Sequence, residues 1–269
     1  MYINNKSGIE IALANEVEVL KALHKFGWLR SKDLACLIWQ KRDKRFSNRE
    51  PEFCKPVSSP SGLRMAQITL KRLKDKKLIL SAATPDNSQI YALSQKGANH
   101  LNAVGIDTVS GKDLLRFFSF DQYRHRVISN ELSISGILQG FKVFTEREIA
   151  QNNWHFNKTG FLGKKPDCLI QNKEYSWWVE VERSRKNQKD YAFLLKWLNV
   201  VFENCKRPHE KPALTKSLSL QKVVFICTPV FENRLIADLN KLGWSEEQVY
   251  LRLIFHRSLY SFRQACFFS

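Results

Sequence analysis

Residues 164–189 read KKPDCLIQNKEYSWWVEVERSRKNQK, and the fold of the second half of the chain turns on them. One apolar run is headed by Pro166-Asp167 and a second runs Trp177-Trp178-Val179-Glu180-Val181-Glu182, with a polar Gln171-Asn172-Lys173 between them. Trp, Val, Ile and Leu suit a pleated, half-buried surface, so the pattern predicts two strands joined by a hairpin. Side chains alternate along a strand, which puts Glu180 and Glu182 on one face, and Asp167 meets them from the paired strand. Three converging carboxylates do not stay ionised together without positive charge nearby. A hard divalent cation with oxygen ligands, Mg2+ or Mn2+, is the simplest remedy. The alternative is a solvated sheet edge whose glutamates pair with Arg183 or Arg185.

Upstream, residues 121–138 have the period of a long helix with Val127, Glu131, Ile134 and Leu138 on one line, which turns Glu131 inward. Phe141-Lys142-Val143-Phe144 follows as a strand, running into Thr145-Glu146-Arg147-Glu148. Downstream, residues 188–203 form a helix with Tyr191, Leu194, Leu198 and Val201 toward the core. Residues 222–227 read as a fully buried strand, then come a helix through Leu235 and Leu239 and a last strand over 249–255. The order α-β-β-β-α-β-α-β makes residues 121–269 a mixed α/β domain of the α+β kind.

The first half is different. Residues 11–25, 32–40 and 61–76 carry helical stripes, the second with Ser31 as its cap. The third buries Leu63, Ala66, Leu70 and Leu73 and leaves Arg64, Gln67, Lys71 and Arg72 on an open arc suited to phosphates and base edges. Between the second and third helices lies KRDKRFSNREPEFCKPVSSP (41–60), a basic, aperiodic loop that is either a DNA-contacting arm or a mobile insertion. Leu78-Ile79-Leu80 and 89–93 bracket a Thr84-Pro85-Asp86-Asn87 turn, and YALSQKGANHL follows. Three helices, a hairpin and a helix over 11–105 resemble a winged helix-turn-helix DNA-binding domain. Residues 106–120 read as the linker to the second domain.

Charge points the same way. The chain of 269 residues carries +17, with 20 basic against 11 acidic residues up to position 120 and 23 against 15 beyond it. Both halves therefore favour a polyanion, as expected of two folded surfaces that touch double-stranded DNA. Six scattered cysteines and six scattered histidines form no CxxC or HxxxH pair, which argues for reduced thiols and against zinc. No apolar run is long enough to insert in a membrane, and MYINNKSGIE lacks the features of a signal peptide, so a cytoplasmic location is expected.

The strand order, with Asp167 in a Pro-Asp pair and Glu180-Val181-Glu182 thirteen residues later, resembles the PD-(D/E)xK nuclease core of restriction enzymes and Holliday-junction resolvases. Joined to a winged helix in a basic protein, it is similar to the MobC-type mobilization relaxases of plasmids and related replication-relaxation proteins. That resemblance implies a metal-dependent, site- and strand-specific DNA nickase acting at a transfer origin, with Mg2+ or Mn2+ and a second mobilization or coupling protein as partner. It implies Asp167 and Glu180 as catalytic, metal-binding acids. Glu182 stands where the family usually has its lysine, so that cation is absent, replaced by metal or supplied from nearby, with Lys186 and Lys189, and more weakly Lys165, as candidates. Glu182, Glu131 and Glu146 are the candidates to complete the metal shell. The nucleophile is water or a tyrosine, Tyr123 or Tyr191, the latter lying on an apolar helix stripe. Two other functions fit the same residues: a non-catalytic winged-helix regulator of replication or transfer, and a restriction- or transposon-type endonuclease.

Overall fold

The computed structural model describes residues 7–43, 49–182, 187–203, 205, 207 and 210–260. The chain divides into two compact units, Met1–Asp43 with Pro56–Arg126, and Lys44–Lys55 with Val127–Ser269. The fold is mixed α/β with two separate sheets. Among the described residues no helix is long and apolar enough to cross a membrane.

In the first unit, helix α1 (Gly8–Phe26) starts on a reciprocal cap between Ser7 and Glu10. A short strand β1 (Leu29–Arg30) leads into α2 (Ser31–Trp39). The cap of α2 is not Ser31 but the Arg30–Asp33 pair. The Arg30 backbone N–H donates to Asp33 Oδ2 at 2.9 Å, and its guanidinium pairs with the same buried carboxylate at 2.7 Å. Helix α3 (Pro60–Asp75) begins with Ser59 accepting from the Gly62 N–H and Pro60 in the first turn, where a missing N–H costs nothing. Ala66, Leu70 and Leu73 are buried as the stripe requires, while Leu63, expected with them, is only half-buried.

Strands β2 (Ile79–Ala83) and β3 (Gln89–Leu93) form the hairpin, and β1 adds to it in the antiparallel order β1-β3-β2. Asp86 ties its tip, accepting from Thr84 Oγ1 at 2.6 Å, Ser88 Oγ at 2.7 Å and Tyr123 Oη at 2.9 Å. Helix α4 (Gln95–Ala103) follows on a Ser94 cap. The stretch 106–120, read as a linker, is built into this unit. It holds α5 (Lys112–Arg116), and its Gly111 N–H donates to the Leu93 carbonyl at 2.8 Å.

Helix α6 (Phe120–Leu138), from Val127 onward, opens the second unit. Strand β4 (Lys142–Phe144), helix α7 (Glu146–Ala150), β5 (Cys168–Gln171), β6 (Tyr175–Glu182), α8 (Gln188–Phe202), β7 (Ser219–Cys227), α9 (Pro229–Lys241), α10 (Glu246–Arg252) and β8 (Leu253–Phe255) complete it. The sheet order is β4-β5-β6-β7-β8, antiparallel through β6 and parallel from β6 to β8. Both faces are covered, which is why β6 and β7 are apolar nearly throughout. Trp177, Val179 and Val181 pack with Ile128 and Leu132 of α6, while Trp178 and Phe225 pack with Tyr191, Leu194 and Trp197 of α8 and Leu235 of α9.

Two expectations change here. Residues 249–252 are helical, and the last strand is only Leu253–Phe255. Ser245 and Gln248 cap each other's backbone N–H groups, and Glu246 and Glu247 favour the positive N-terminal end, so helix wins over an ambiguous apolar run. The loop 41–60 is also placed in part. Its segment 49–55 is seated on the second unit: the Glu52 N–H and carbonyl bond the Gln139 amide at 2.8 and 2.7 Å, and Glu50 pairs with Lys222 at 3.3 Å.

Candidate active site

Asp167 lies immediately before β5, where the backbone still pairs with β6: its N–H donates to the Val179 carbonyl at 2.9 Å. Cys168, opposite Val179, is the first registered residue of β5, so Asp167 stands at the end of the ladder, near enough to Glu180 for the two charges to interact. One Asp167 oxygen, Oδ2, accepts from the Val181 N–H at 2.7 Å, and Ser129 Oγ of α6 donates to the Asp167 carbonyl at 2.8 Å. The aspartate is thus fixed by backbone and helix before any ligand arrives.

Glu180 is only 4 % exposed, on the β6 face that carries Trp178. Its Oε2 receives the Lys164 ammonium at 2.7 Å, and its Oε1 receives the indole N–H of Trp178 at 2.5 Å. Trp178 is two residues away on the same strand, so alternation alone brings its N–H to this carboxylate. Burial pushes the Glu180 carboxyl up, Lys164 beside it pulls it back, and the Asp167 charge pushes it up again.

Lys164 is the residue that the sequence pattern did not single out. Its side chain is 12 % exposed and its ammonium stands 5.9 Å from the centre of the Trp197 ring. A tight turn holds it, with Phe161 and Lys164 exchanging both backbone hydrogen bonds at 2.9 and 3.1 Å and the Trp197 indole donating to the Phe161 carbonyl at 2.9 Å. Gly160 permits this turn: it has φ +77°, and a Cβ there would meet the Lys164 carbonyl oxygen at 2.1 Å. The only local signal was the Lys164-Lys165 pair ahead of Pro166-Asp167, and in a loop no periodicity says which of the two turns inward.

The remaining acids are distributed around this pair. Glu146 opens α7 just beyond β4, whose Phe144 pairs with Leu169, and its charge reaches Cys168 as that of Asp167 does. Cys168 registers that grouping: burial pushes its thiol up, and the charges of Asp167, Glu146 and Glu180 add to the effect. Glu182 is buried one alternation beyond Glu180, about 7 Å along the strand, opposite Cys227. Burial, with Glu232 and Glu182 nearby, pushes the Cys227 thiol up to about 12. Glu131 is buried on α6, the helix that covers the other face of the sheet. Lys186 lies outside the described residues, Lys189 is exposed in the first turn of α8, and Lys165 is half-buried.

On the first unit, Arg64, Gln67, Lys71 and Arg72 are all exposed along α3, and Lys74 continues the line. Tyr123 stacks on Trp28 and gives its hydroxyl to Asp86. Tyr191 gives its hydroxyl to Asp238 at 3.0 Å beneath the Arg234 guanidinium. Burial and the neighbouring Asp238 push the Tyr191 phenol up to about 12, which makes it a poor nucleophile.

No family model, curated protein or solved structure matches the chain. The fit to a divalent cation therefore rests on the donor set itself. Asp167, just before β5, and Glu180 on β6 are oxygen donors whose charges interact, and the carboxyl of Glu180 is buried enough to require a cation. These two fit. Among the described residues no three His, Cys, Asp or Glu side chains are gathered closely enough to form a complete cage, and the cation now on Glu180 is Lys164.

Proposed function

We propose that the protein is a metal-dependent DNA nickase of the plasmid mobilization relaxase kind, with a winged-helix reader and a PD-(D/E)xK-like nuclease core. The observation that carries this reading is the Asp167, Glu180 and Lys164 constellation at one end of the β5–β6 pair. Two acids and one ammonium grouped at the end of a strand pair are the residue types that phosphodiester cleavage uses. Further support comes from the sheet, antiparallel over β4-β5-β6 and then parallel, with helices on both faces, which is the order the nuclease resemblance implies. The exposed cations of α3 and the three-helix unit with its β2–β3 hairpin support the winged-helix reading in the same way.

In this reading Asp167 and Glu180 hold Mg2+ or Mn2+, with Glu146 next in the row. A bound ion of that kind supplies charge at the phosphoryl oxygen and a more acidic water. Lys164 presents an ammonium to the phosphate and keeps Glu180 ionised inside the fold, the role the family gives to the lysine after its glutamate. Arg64, Gln67, Lys71 and Arg72 hold the duplex by its backbone and base edges. The substrate is double-stranded DNA at a transfer origin, in the cytoplasm, with a second mobilization or coupling protein taking over the nicked strand.

The test is supercoiled plasmid carrying the native flanking DNA, incubated with Mg2+ or Mn2+ and mapped for breaks. A single strand-specific nick, lost in Asp167→Ala and in EDTA, is the expected result. Scattered double-strand cuts would reassign the chain as a general endonuclease.

One observation favours a second reading, that of a non-catalytic DNA-binding regulator. Both Glu180 oxygens are already occupied, by Lys164 and by Trp178. DNA binding with no cleavage in either metal would establish that alternative.

A further inference from the structure

Helix α8 presents two unlike faces. Tyr191, Leu194, Trp197 and Leu198 are buried against the sheet, while Lys189, Phe193 and Lys196 point to solvent at helical spacing. Phe193 is 45 % exposed, and single exposed apolar residues are common enough to need no explanation. Phe193 is not alone, however. Leu162, 51 % exposed, lies in the chain's approach to Lys164 with φ +50°, and it carries the only apolar side chain among the described residues with a positive φ. Between Leu162 and Lys164, Gly163 lies beside the ring: a Cβ there would come within 3.4 Å of Phe193 Cζ. The next residue is Lys164, whose ammonium is on Glu180. The exposed ring therefore lies beside the loop at a point one residue, about 3.8 Å of chain, from the lysine of the candidate site.

We infer that Phe193 is a stacking platform for an unpaired base of the DNA strand, flanked by Lys189 and Lys196 for its phosphates, so that the strand entering the Lys164–Glu180 site is locally single-stranded. An aromatic ring between cations is how proteins hold single strands without reading sequence: the ring stacks on the base and the lysines track the backbone. A second copy of the chain is a poor occupant, since its like charge would be brought against the same two lysines in a protein of net charge +17. The inference rests on the DNA-cleavage reading for the identity of the strand, but binding alone tests it.

The experiment titrates wild-type protein, Phe193→Ala and Phe193→Trp, in EDTA, into a single-stranded oligonucleotide carrying 2-aminopurine and into the same oligonucleotide annealed to its complement. Phe193→Ala is expected to weaken single-strand binding about tenfold and to abolish the change in 2-aminopurine fluorescence, while Phe193→Trp retains both. Duplex binding, carried by α3, should be unchanged in both variants, and equal melting temperatures show that the fold is intact. Single-strand affinity unchanged in Phe193→Ala overturns the inference. So does a change of oligomeric state without a change in DNA affinity, which would make the face a protein interface, or Phe193-dependent binding that favours RNA. Wild-type protein that binds neither DNA form defeats the cleavage reading together with this one, whereas binding that is indifferent to Phe193 defeats this one alone.

Discussion

The Lys164 ammonium stands 2.7 Å from Oε2 of Glu180, across sixteen residues of sequence, and the Trp178 indole closes the other oxygen. A carboxyl this buried, with the Asp167 charge nearby, is raised above its ordinary 4.5 by burial, and Lys164 is what limits the rise. Because the folded value is raised, the stability Glu180 contributes is present below about 4.5 and is lost as pH climbs through the raised value.

Lys164→Met should therefore show two effects. Nicking falls about a hundredfold, as when one charge-stabilising donor is removed, with duplex affinity kept. Urea unfolding shows a loss of about 3 kcal/mol near neutral pH, because a buried carboxylate is left without its partner, and the gap from wild type narrows on going to acid. A stability loss with full nicking would make Lys164 a structural partner only.

Glu180→Gln and Asp167→Asn preserve shape and remove charge. Each should lower nicking by at least about a hundredfold while gel-shift affinity for the duplex stays the same. Nicking that survives both changes would move the active site elsewhere in the molecule.

Alanine at Arg64 and Lys71 addresses the α3 surface. Both side chains are exposed, so stability should stay within about 0.5 kcal/mol of wild type. DNA affinity should fall, and the slope of log K against log salt should shrink by about 1 for each phosphate that the helix no longer neutralises. An unchanged slope would mean that α3 does not meet the backbone.

Asp86 gives a pH test within the first unit. Burial opposes its charged form, yet donors from Thr84, Ser88 and Tyr123 lower its carboxyl from 3.8 to about 2. With a lowered folded value, its contribution is present above 3.8 and disappears as pH falls through about 2. Tyr123→Phe removes one donor, so the acid-unfolding midpoint should move to higher pH, read by circular dichroism. No movement would mean that the tip of the hairpin does not carry acid stability.

The two tyrosines considered as nucleophiles are both committed to carboxylates, Tyr123 to Asp86 and Tyr191 to Asp238. Tyr191→Phe and Tyr123→Phe should leave nicking intact, and a denaturing gel should show free rather than protein-linked DNA ends. A covalent adduct that vanishes with either change would replace water as the nucleophile.

The β5–β6 hairpin, the faces of α3 and α8 and the shared face of Glu180 were legible from residue order, because periods of 2 and 3.6 dictate which side chains stand together on one element. Residues 249–252 were not, since a short apolar run fits either period until the Ser245–Gln248 cap selects helix. Nor was the seat of 49–55, whose partners Gln139 and Lys222 are remote in sequence. The KKPDCLIQNKEYSWWVEVE stretch by itself determined two strands, a buried face and acids at the head of one strand and on the other. Only the tertiary structure decided which cation answers those acids. Lys164 and Lys165 are chemically identical, and the choice between them is made by a turn at Gly160 and by Trp197, a residue more than thirty positions away whose indole holds that turn in place.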